Sequence, residues 1–135
     1  MEIGVHYLTR DDVLVLHALI VRQPVSDVQD TLRAIGLLDS ALGRPQNAAA
    51  YESASLTRQA ATLLCGLIKN HPFRDGNKRT AYVAMQAFLR GNGLTIRSSD
   101  DDQYELIVAV ATGRNGVDDV ERWLNRTTAS WPFSP

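Results

Sequence analysis

The sequence predicts an all-α fold, a compact bundle of about six helices around one central buried helix. Apolar residues recur at helical spacing almost throughout the chain, and no run alternates apolar and polar residues for long enough to require a sheet. Of the 135 residues, 44% are hydrophobic, which is enough to bury one core. We therefore expect a single domain over residues 1–128, followed by a frayed, proline-containing tail over 129–135.

The first part of the chain predicts two helices. Thr9 and Asp12 form a capping pair, because a hydroxyl accepts from an orphan amide and an early carboxylate suits the positive helix end. The helix that they open spans about 10–22, with most of its apolar side chains on one stripe. A second helix, over about 26–36, has apolar positions spaced by four and three at residues 28, 32 and 35.

Residues 43–52 predict an exposed loop. A further helical turn at about 37–42 precedes Gly43, and Pro45 follows two positions later. Glycine frees the backbone and proline removes an amide donor, so together they interrupt a helical pattern.

The remainder of the chain predicts the central helix and three more. Small and apolar residues between 53 and 68 indicate a helix that is buried on much of its circumference. Each later helix opens at a capping or turn residue. The predicted starts are Gly76 or Asn77, Ser99, and Val117 or Asp118. Residues 94–96 form at most a short extended piece.

Composition and charge exclude several classes of protein. The formal net charge is -1 and the pI is near 6.3, so no basic field supports direct nucleic-acid binding. The single Cys65 cannot form an internal disulfide, and the three separated histidines give no zinc-binding spacing. The chain has no basic, apolar leader and no apolar run long enough for a membrane span. We expect a cytoplasmic protein with no membrane partner.

The chemistry concentrates in the segment from His71 to Arg79. A histidine at the end of one helix is followed by a glycine-containing turn and by the N-terminus of another helix. Unpaired amides and the helix dipole attract an anion there, so the turn is suited to phosphate. His71 is placed to take a proton from an attacking hydroxyl. Taken alone, a histidine at a helix end is more often a capping or core residue, and the surrounding residues decide the interpretation.

Four neighbours of His71 strengthen the phosphate interpretation. Asp75, just before the turn, offers a carboxylate oxygen to Mg²⁺, which neutralises phosphate charge. Asn77 and Arg79 offer neutral and cationic donors to phosphate oxygens. Phe73 is expected to point into the core and to anchor the segment.

This segment resembles the signature of the Fic/Doc family, His-x-Phe-x-Asp/Glu-Gly-Asn, and matches it at every specified position. Such a pattern is far more specific than a lone glycine loop. The wider resemblance is to the Doc, or death-on-curing, branch and covers nearly the whole chain. It implies a Fic/Doc-type helical bundle with the motif loop between two long helices. The residues that carry it, besides the motif, are Tyr7–Thr9, Gly36–Gln46, Ile68–Asn70 and Asn77–Ala81.

Within that family, the resemblance implies that His71 is the catalytic base and Asp75 the metal ligand. It implies ATP and Mg²⁺ as cofactors. The residues that it assigns to the phosphates of ATP are Gly76, Asn77, Lys78 and Arg79.

Two departures from typical Fic enzymes concern the reaction. Lys78 stands where those enzymes carry a second glycine, and Tyr82 stands where they often carry a second arginine. A four-carbon stem with a cation obstructs the nucleotide pose used for AMP transfer and attracts the terminal phosphate. The resemblance to the Doc branch therefore implies transfer of the γ-phosphoryl group of ATP to a protein hydroxyl.

The resemblance also implies partners. No glutamate lies in the pattern Ser/Thr-x-x-x-Glu-Gly/Asn, with which many Fic proteins inhibit themselves. In the Doc branch inhibition comes from a Phd-like antitoxin, whose C-terminal segment docks as a helix. The chain then resembles the toxin of a type II toxin-antitoxin system. The implied target is a threonine of elongation factor Tu, and its phosphorylation blocks translation.

The segment from Arg44 to Tyr51 is similar to the family's flap, which lies beside the active site and aligns the target. Its target-positioning residues would be Arg44, Gln46 and Tyr51. Two alternatives stay open here. Arg44 serves equally well in a structural bond to nearby carbonyls, and Lys69 either complements the dipole of the central helix or contacts a substrate.

Two other functions stay open beside phosphoryl transfer. One is Fic-type AMP transfer to a protein hydroxyl, which would place label from the α-phosphate of ATP on the target. The other is a non-catalytic binding module that keeps the fold and acts through partner contacts. That module would stay active after His71→Ala.

Overall fold

The computed structural model describes residues 4–132, and this part of the chain contains seven α-helices and one two-stranded sheet. The all-α prediction is confirmed, with one helix more than expected. Within residues 4–132 no helix combines the length and the apolarity needed to cross a membrane. In chain order the elements are α1 (Arg10–Val21), α2 (Val25–Val28), α3 (Ile35–Glu52), α4 (Leu56–Asn70), α5 (Asn77–Gly91), β1 (Leu94–Ile96), α6 (Asp100–Ala111), α7 (Val117–Thr127) and β2 (Thr128–Ser130).

Helix α4 is the centre of the bundle, as predicted. It packs against α3, α5 and α7, and nine of its 15 residues are buried. At Gly66 a Cβ would lie 2.7 Å from Cδ of Arg44, so a side chain there would push against the neighbouring helix α3. Because α4 is held on several sides, the position of its last turn, and of the segment that follows, is fixed.

The predicted caps of α1 and α6 are confirmed. The Asp12 N–H donates to Thr9 Oγ1 at 3.1 Å, and the Thr9 N–H donates to the Asp12 carboxylate at 2.9 Å. At the start of α6 the Asp102 N–H donates to Ser99 Oγ at 3.1 Å. These starts follow from local hydrogen bonds that a short stretch of sequence encodes.

The prediction of one helix over 26–36 is wrong. Between α1 and α3, only α2 and a 3-10 turn, Gln29–Thr31, are helical. Leu32 forms an antiparallel bridge with Phe73 of the motif. The backbone here bonds to a distant segment instead of continuing a helix.

The prediction of an exposed loop at 43–52 is also wrong. Helix α3 continues through Gly43 and Pro45 and ends at Glu52, and the N–H of its C-cap, Ser53, donates to Ala48 O. Pro45 is buried in the helix interior. Proline removes one helical hydrogen bond, but packing of an amphipathic face outweighs that local loss.

The prediction of a frayed tail is wrong for residues 129–132. Strand β2 pairs antiparallel with β1, with Ala129 opposite Thr95. The Trp131 N–H donates to Gly93 O at 2.8 Å, and the Arg90 guanidinium lies 5.6 Å from the centre of the Trp131 ring. Residues 133–135 of the predicted tail, and 1–3 of the predicted domain, lie outside the described residues.

Candidate active site

The motif segment begins where α4 ends, at a histidine with left-handed backbone. His71 has φ 53° and ψ 57°, and its N–H donates to Leu67 O. Its carbonyl accepts from Arg33 Nη1 at 2.8 Å. A non-glycine residue in this conformation costs roughly 1–2 kcal/mol. The backbone of His71 is therefore held from both sides, while its side chain is exposed.

The segment after α2 holds the motif loop by backbone hydrogen bonds. The Arg33 N–H donates to Pro72 O at 2.8 Å, and the Arg74 N–H donates to Thr31 O at 2.9 Å. These bonds lie on either side of the bridge described above. Tertiary pairing, and not turn propensity alone, sets the shape of the loop.

Helix α5 begins at a glycine that is closely surrounded. Gly76 has φ 71°, and a Cβ there would lie 3.2 Å from Val21 Cγ1 and 3.3 Å from His17 Cε1. The first turn of α5 contains no acidic residue and no side-chain cap. Its orphan amides and the positive end of its dipole are therefore not neutralised by the helix itself, which favours an external anion such as phosphate.

Asn77 braces the loop. Its Oδ1 accepts from the Phe73 N–H at 2.8 Å, and its Nδ2 donates to Phe73 O at 2.7 Å. The residue is only 5% exposed. Each end of the amide holds one hydrogen bond within the protein, so this side chain supports the loop, and its role as a phosphate ligand stays a prediction. The backbone amide of Asn77 also lies in the first turn of α5.

A second histidine, His17 of α1, lies behind the loop. It is fully buried, and its ring stacks on Phe73 with centroids 3.6 Å apart and planes 10° from parallel. Its Nδ1 lies 2.8 Å from Thr80 Oγ1, while its Nε2 is buried without a partner in residues 4–132. Burial lowers the pKa of His17, and the carboxylate of Asp75 opposes that shift. The imidazole is therefore neutral and acts as part of the loop's support.

The sequence gives no sign of a link between His17 and the motif. No spacing rule could have supplied that link, because the contacts join residues of α1 to a loop far away in the chain. The one available signal was a pair of polar residues, His17 and Thr80, among the apolar positions of two helices.

Five residues of the segment from His71 to Arg79 are exposed, and four of them have predicted roles, namely His71, Asp75, Lys78 and Arg79. Within residues 4–132 these four side chains have no hydrogen bond or ion pair. A cavity of about 530 Å³ lies over the Gly76 turn. It is lined by the segment from Asp75 to Arg79 and by residues of α1 and its C-terminal end, and His71 stands outside this lining. The structure thus places two cations and a carboxylate around a helix N-terminus, with the imidazole at the opposite end of the loop.

Asp75 is the only one of the four exposed motif side chains with a carboxylate. Within residues 4–132 no three His, Cys, Asp or Glu side chains are grouped to hold a metal ion. Mg²⁺ commonly binds through one or two carboxylates together with substrate phosphates. This donor set fits Mg²⁺ held between Asp75 and a polyphosphate.

The predicted flap runs away from the motif. The Asn70 side chain donates to Leu37 O at 3.0 Å, so the start of α3 lies beside the end of α4. Tyr51, at the other end of α3, shares a cavity wall with Thr62. Thr62 precedes His71 by about 14 Å along α4, at 1.5 Å per residue.

Arg44, Gln46 and Tyr51 all belong to helix α3, so the predicted flap is helical, and its target-positioning role stays a prediction. Arg44 is half-buried, with its stem against Gly66, which supports the structural alternative for this residue. Gln46 and Tyr51 are exposed.

Comparison with known proteins identifies the family of this chain. A sequence model of the Fic/DOC family matches residues 7–89, which include the whole motif. The chain is 38% identical over 119 residues to Toxin Doc of Mycolicibacterium smegmatis, covering 84% of this chain and 87% of that protein. It is 36% identical over 96 residues to Protein kinase doc of Escherichia phage P1, covering 70% of this chain and 75% of that protein. The chain therefore belongs to the Fic/Doc family, and within it to the Doc branch.

Proposed function

We propose that this chain is a Doc-like toxin that transfers the γ-phosphoryl group of ATP to a hydroxyl of a protein target. The observation that carries the proposal is the exposed set of Asp75, Lys78 and Arg79 around the start of α5, with the exposed His71 at the other end of a loop whose backbone is held by hydrogen bonds. One relative is named a toxin and the other a protein kinase, which supports this class of function.

In the proposed reaction the target's hydroxyl oxygen bonds to the γ-phosphorus. The bond from that phosphorus to the β,γ-bridging oxygen breaks, and ADP leaves. His71 accepts the hydroxyl proton on its imidazole. The first-turn amides of α5, with Lys78 and Arg79, bind phosphate oxygens and stabilise their charge. Asp75 would hold Mg²⁺, which supplies further neutralisation of the phosphates.

Lys78 supports transfer of the γ-phosphoryl group over transfer of AMP. It lies in the first turn of α5, two positions after Gly76, and its side chain is exposed. A flexible cation at this point attracts the phosphate group with the highest charge, which is the terminal one.

We further propose a threonine of elongation factor Tu as the target, with a block of translation as the result, and a cytoplasmic location to match. A Phd-like antitoxin would be the inhibitor. The exposed, unpaired motif side chains support an inhibitor on a second chain, since within residues 4–132 they carry no ion pair or hydrogen bond to satisfy them.

The test is incubation of the purified protein with ATP, Mg²⁺ and elongation factor Tu, followed by intact mass measurement of the target. We expect the mass of one phosphate to be added by the wild type and none by His71→Ala. The matched control is Ser53→Ala, which changes another exposed residue with left-handed backbone, φ 51°, and should leave transfer intact. Addition of AMP would contradict the proposal, as would growth arrest that persists undiminished in His71→Ala.

A further inference from the structure

One buried side chain, that of His17 in α1, contacts the motif at three separate points. Its ring stacks on Phe73 of the loop, with ring centroids 3.6 Å apart. Its Nδ1 lies 2.8 Å from Thr80 Oγ1 in α5, and its Cε1 lies 3.3 Å from the place that a Cβ would take at Gly76. Three contacts with one rigid ring fix the loop, the turn and the start of α5 relative to one another.

The contact with Thr80 lies at the phosphate end of the motif. The Thr80 N–H donates to Gly76 O at 2.9 Å and closes the first turn of α5. The amides of residues 77–79, just before it, have no partner in the helix ladder, and the side chains of Lys78 and Arg79 are exposed. A contact that holds Thr80 therefore also holds the groups to which we assign the phosphates.

Phe73 connects the same ring to the other end of the loop, where His71 stands. Phe73 is fully buried, and its N–H and carbonyl are both bonded to the side chain of Asn77, at 2.8 Å and 2.7 Å. It follows His71, the proposed base, by two residues. The imidazole of His17 thus links the part of the loop that carries the base with the turn that we assign to the phosphates.

Stability alone does not account for a histidine at position 17. The residue is fully buried, and its Nε2 has no hydrogen-bond partner in residues 4–132. An unpaired polar atom in the core destabilises a folded protein, whereas an apolar side chain of similar size would leave no such atom. An unsatisfied buried group beside a site indicates a role in the function of that site.

We propose that His17 is a positioning residue, which sets the distance between the imidazole of His71 and the phosphates bound at the start of α5. The inference rests on the proposed function. His17 acts through Phe73 and Thr80 and touches neither ATP nor the hydroxyl of the target. Misplacement of a reacting group by about 1 Å can lower a rate about 10²-fold. Loss of the hydrogen bond to Thr80 should therefore reduce turnover more than it reduces the binding of ATP.

The test is to measure kcat and the KM for ATP, with Mg²⁺ and elongation factor Tu, in Thr80→Val, which keeps the branched shape of threonine without the hydroxyl. We expect kcat to fall about tenfold and KM to change less than about twofold, because the groups assigned to the phosphates are unchanged. Thr80→Ser keeps the hydroxyl and should restore most of kcat.

His17→Phe tests the same hydrogen bond from its other side. This variant keeps a ring that can stack on Phe73 but has no Nδ1 for Thr80. It should lower kcat by about the same factor as Thr80→Val, and the double variant should be no worse than either single variant, because both remove one interaction.

Thr57→Val is the matched control. Thr57 is a buried threonine of α4 whose hydroxyl donates to Asn125 Oδ1 at 2.6 Å, and it precedes His71 by about 21 Å along the helix, at 1.5 Å per residue. We expect Thr57→Val to lower the free energy of unfolding, measured by urea denaturation, about as much as Thr80→Val does. It should leave kcat unchanged.

The outcomes separate the two proposals. A wild-type kcat in Thr80→Val, or an equal fall of kcat in Thr80→Ser, would overturn the positioning role and leave the proposed function in place. The role is also overturned if Thr57→Val lowers kcat as much as Thr80→Val, because the effect would then be a general loss of stability. If the wild type transfers no phosphate from ATP, the proposed function falls, and the positioning role falls with it.

Discussion

The two ends of α4 use polar side chains in opposite ways. At its N-terminal end, Arg58 bonds to three carboxylates, those of Glu52 at 3.1 Å, Asp118 at 2.7 Å and Glu121 at 3.1 Å. This cluster joins α3, α4 and α7. The exposed side chains that follow the C-terminal end are those of His71, Asp75, Lys78 and Arg79, and they have no hydrogen bond or ion pair within residues 4–132. One end uses its charges for cohesion, and the other keeps them available for a ligand.

The unpaired end is nevertheless rigid. Its backbone is held by the bridge between Leu32 and Phe73, by the amide of Asn77, and by the stack of His17 on Phe73. Supporting groups that do not touch the ligand are what hold a site in its productive geometry. Side chains of the site can therefore be left unpaired, because other residues hold the loop in place.

The largest expected effect is on activity at the unpaired end. His71→Ala should lower phosphate transfer by about 10²- to 10⁴-fold, because it removes the general base. The free energy of unfolding, from urea denaturation, should match that of Ser53→Ala, since both replace an exposed residue with left-handed backbone. Substantial transfer by the His71 variant would show that the imidazole is not the base.

The next largest effect is a difference in stability between substitutions at two glycines. Gly76→Ala should destabilise the protein by about 1–3 kcal/mol and weaken ATP binding, because a Cβ meets His17 and Val21 at positive φ. Gly43→Ala, in the interior of α3 with open space around it, should be neutral or stabilise by up to about 1 kcal/mol. Urea denaturation measures both. Equal stability of the two variants would contradict the tight fit of the Gly76 turn.

The pH dependence of stability should differ between the two ends. Burial lowers the pKa of His17 in the folded protein. Below about pH 6.5 the imidazole therefore binds a proton more readily in the unfolded chain than in the folded one. The free energy of unfolding should decrease as the pH falls through this range. The pKa of Asp118 is lowered by its hydrogen bond to Arg58. The interaction of Asp118 with Arg58 therefore stabilises the folded protein above pH 3.8, the ordinary pKa of this carboxyl group. That stabilisation is lost only as the pH falls below this value.

Unfolding free energies measured from pH 8 to pH 3 check this difference. His17→Gln should flatten the fall that begins near pH 6.5, and Asp118→Asn should flatten only the fall below about pH 4. A His17 variant with the wild-type slope between pH 5 and pH 6.5 would show that this imidazole is not held neutral.

The smallest effect is expected at the paired end. Arg58→Met should cost about 1 kcal/mol, since such partly exposed ion pairs contribute little each. The loss should shrink in high salt, because salt screens exposed charges. The rate of phosphate transfer should not change. A large loss of transfer in Arg58→Met would contradict the separation of the two ends.

The sequence predicted those features that local chemistry encodes. The caps at Thr9 and Ser99 and the start of α5 at Asn77 follow from neighbouring residues. The helix expected over 26–36 and the loop expected at 43–52 are different in the structure, because contacts with the motif loop and with α4 outweigh local propensity.

The same division holds for the candidate site. The motif residues stand out in the sequence, and in the structure Asp75, Lys78 and Arg79 are exposed around the start of α5, with His71 exposed at the other end of the loop. Among the supporting residues, Phe73 is predicted from the motif and is buried as expected, whereas His17 is not predictable, because it reaches the loop only through the packing of α1. The support that Asn77 gives to the loop is not predictable either, because the pattern names the residue but not the direction of its amide.

The most direct test of the central claim uses ATP labelled in either the γ- or the α-phosphate, with Mg²⁺, the purified protein and elongation factor Tu. We predict that γ label appears on a threonine of the target, that α label does not, and that His71→Ala transfers neither. Label from the α-phosphate on the target, or γ label that persists in His71→Ala, would contradict the account.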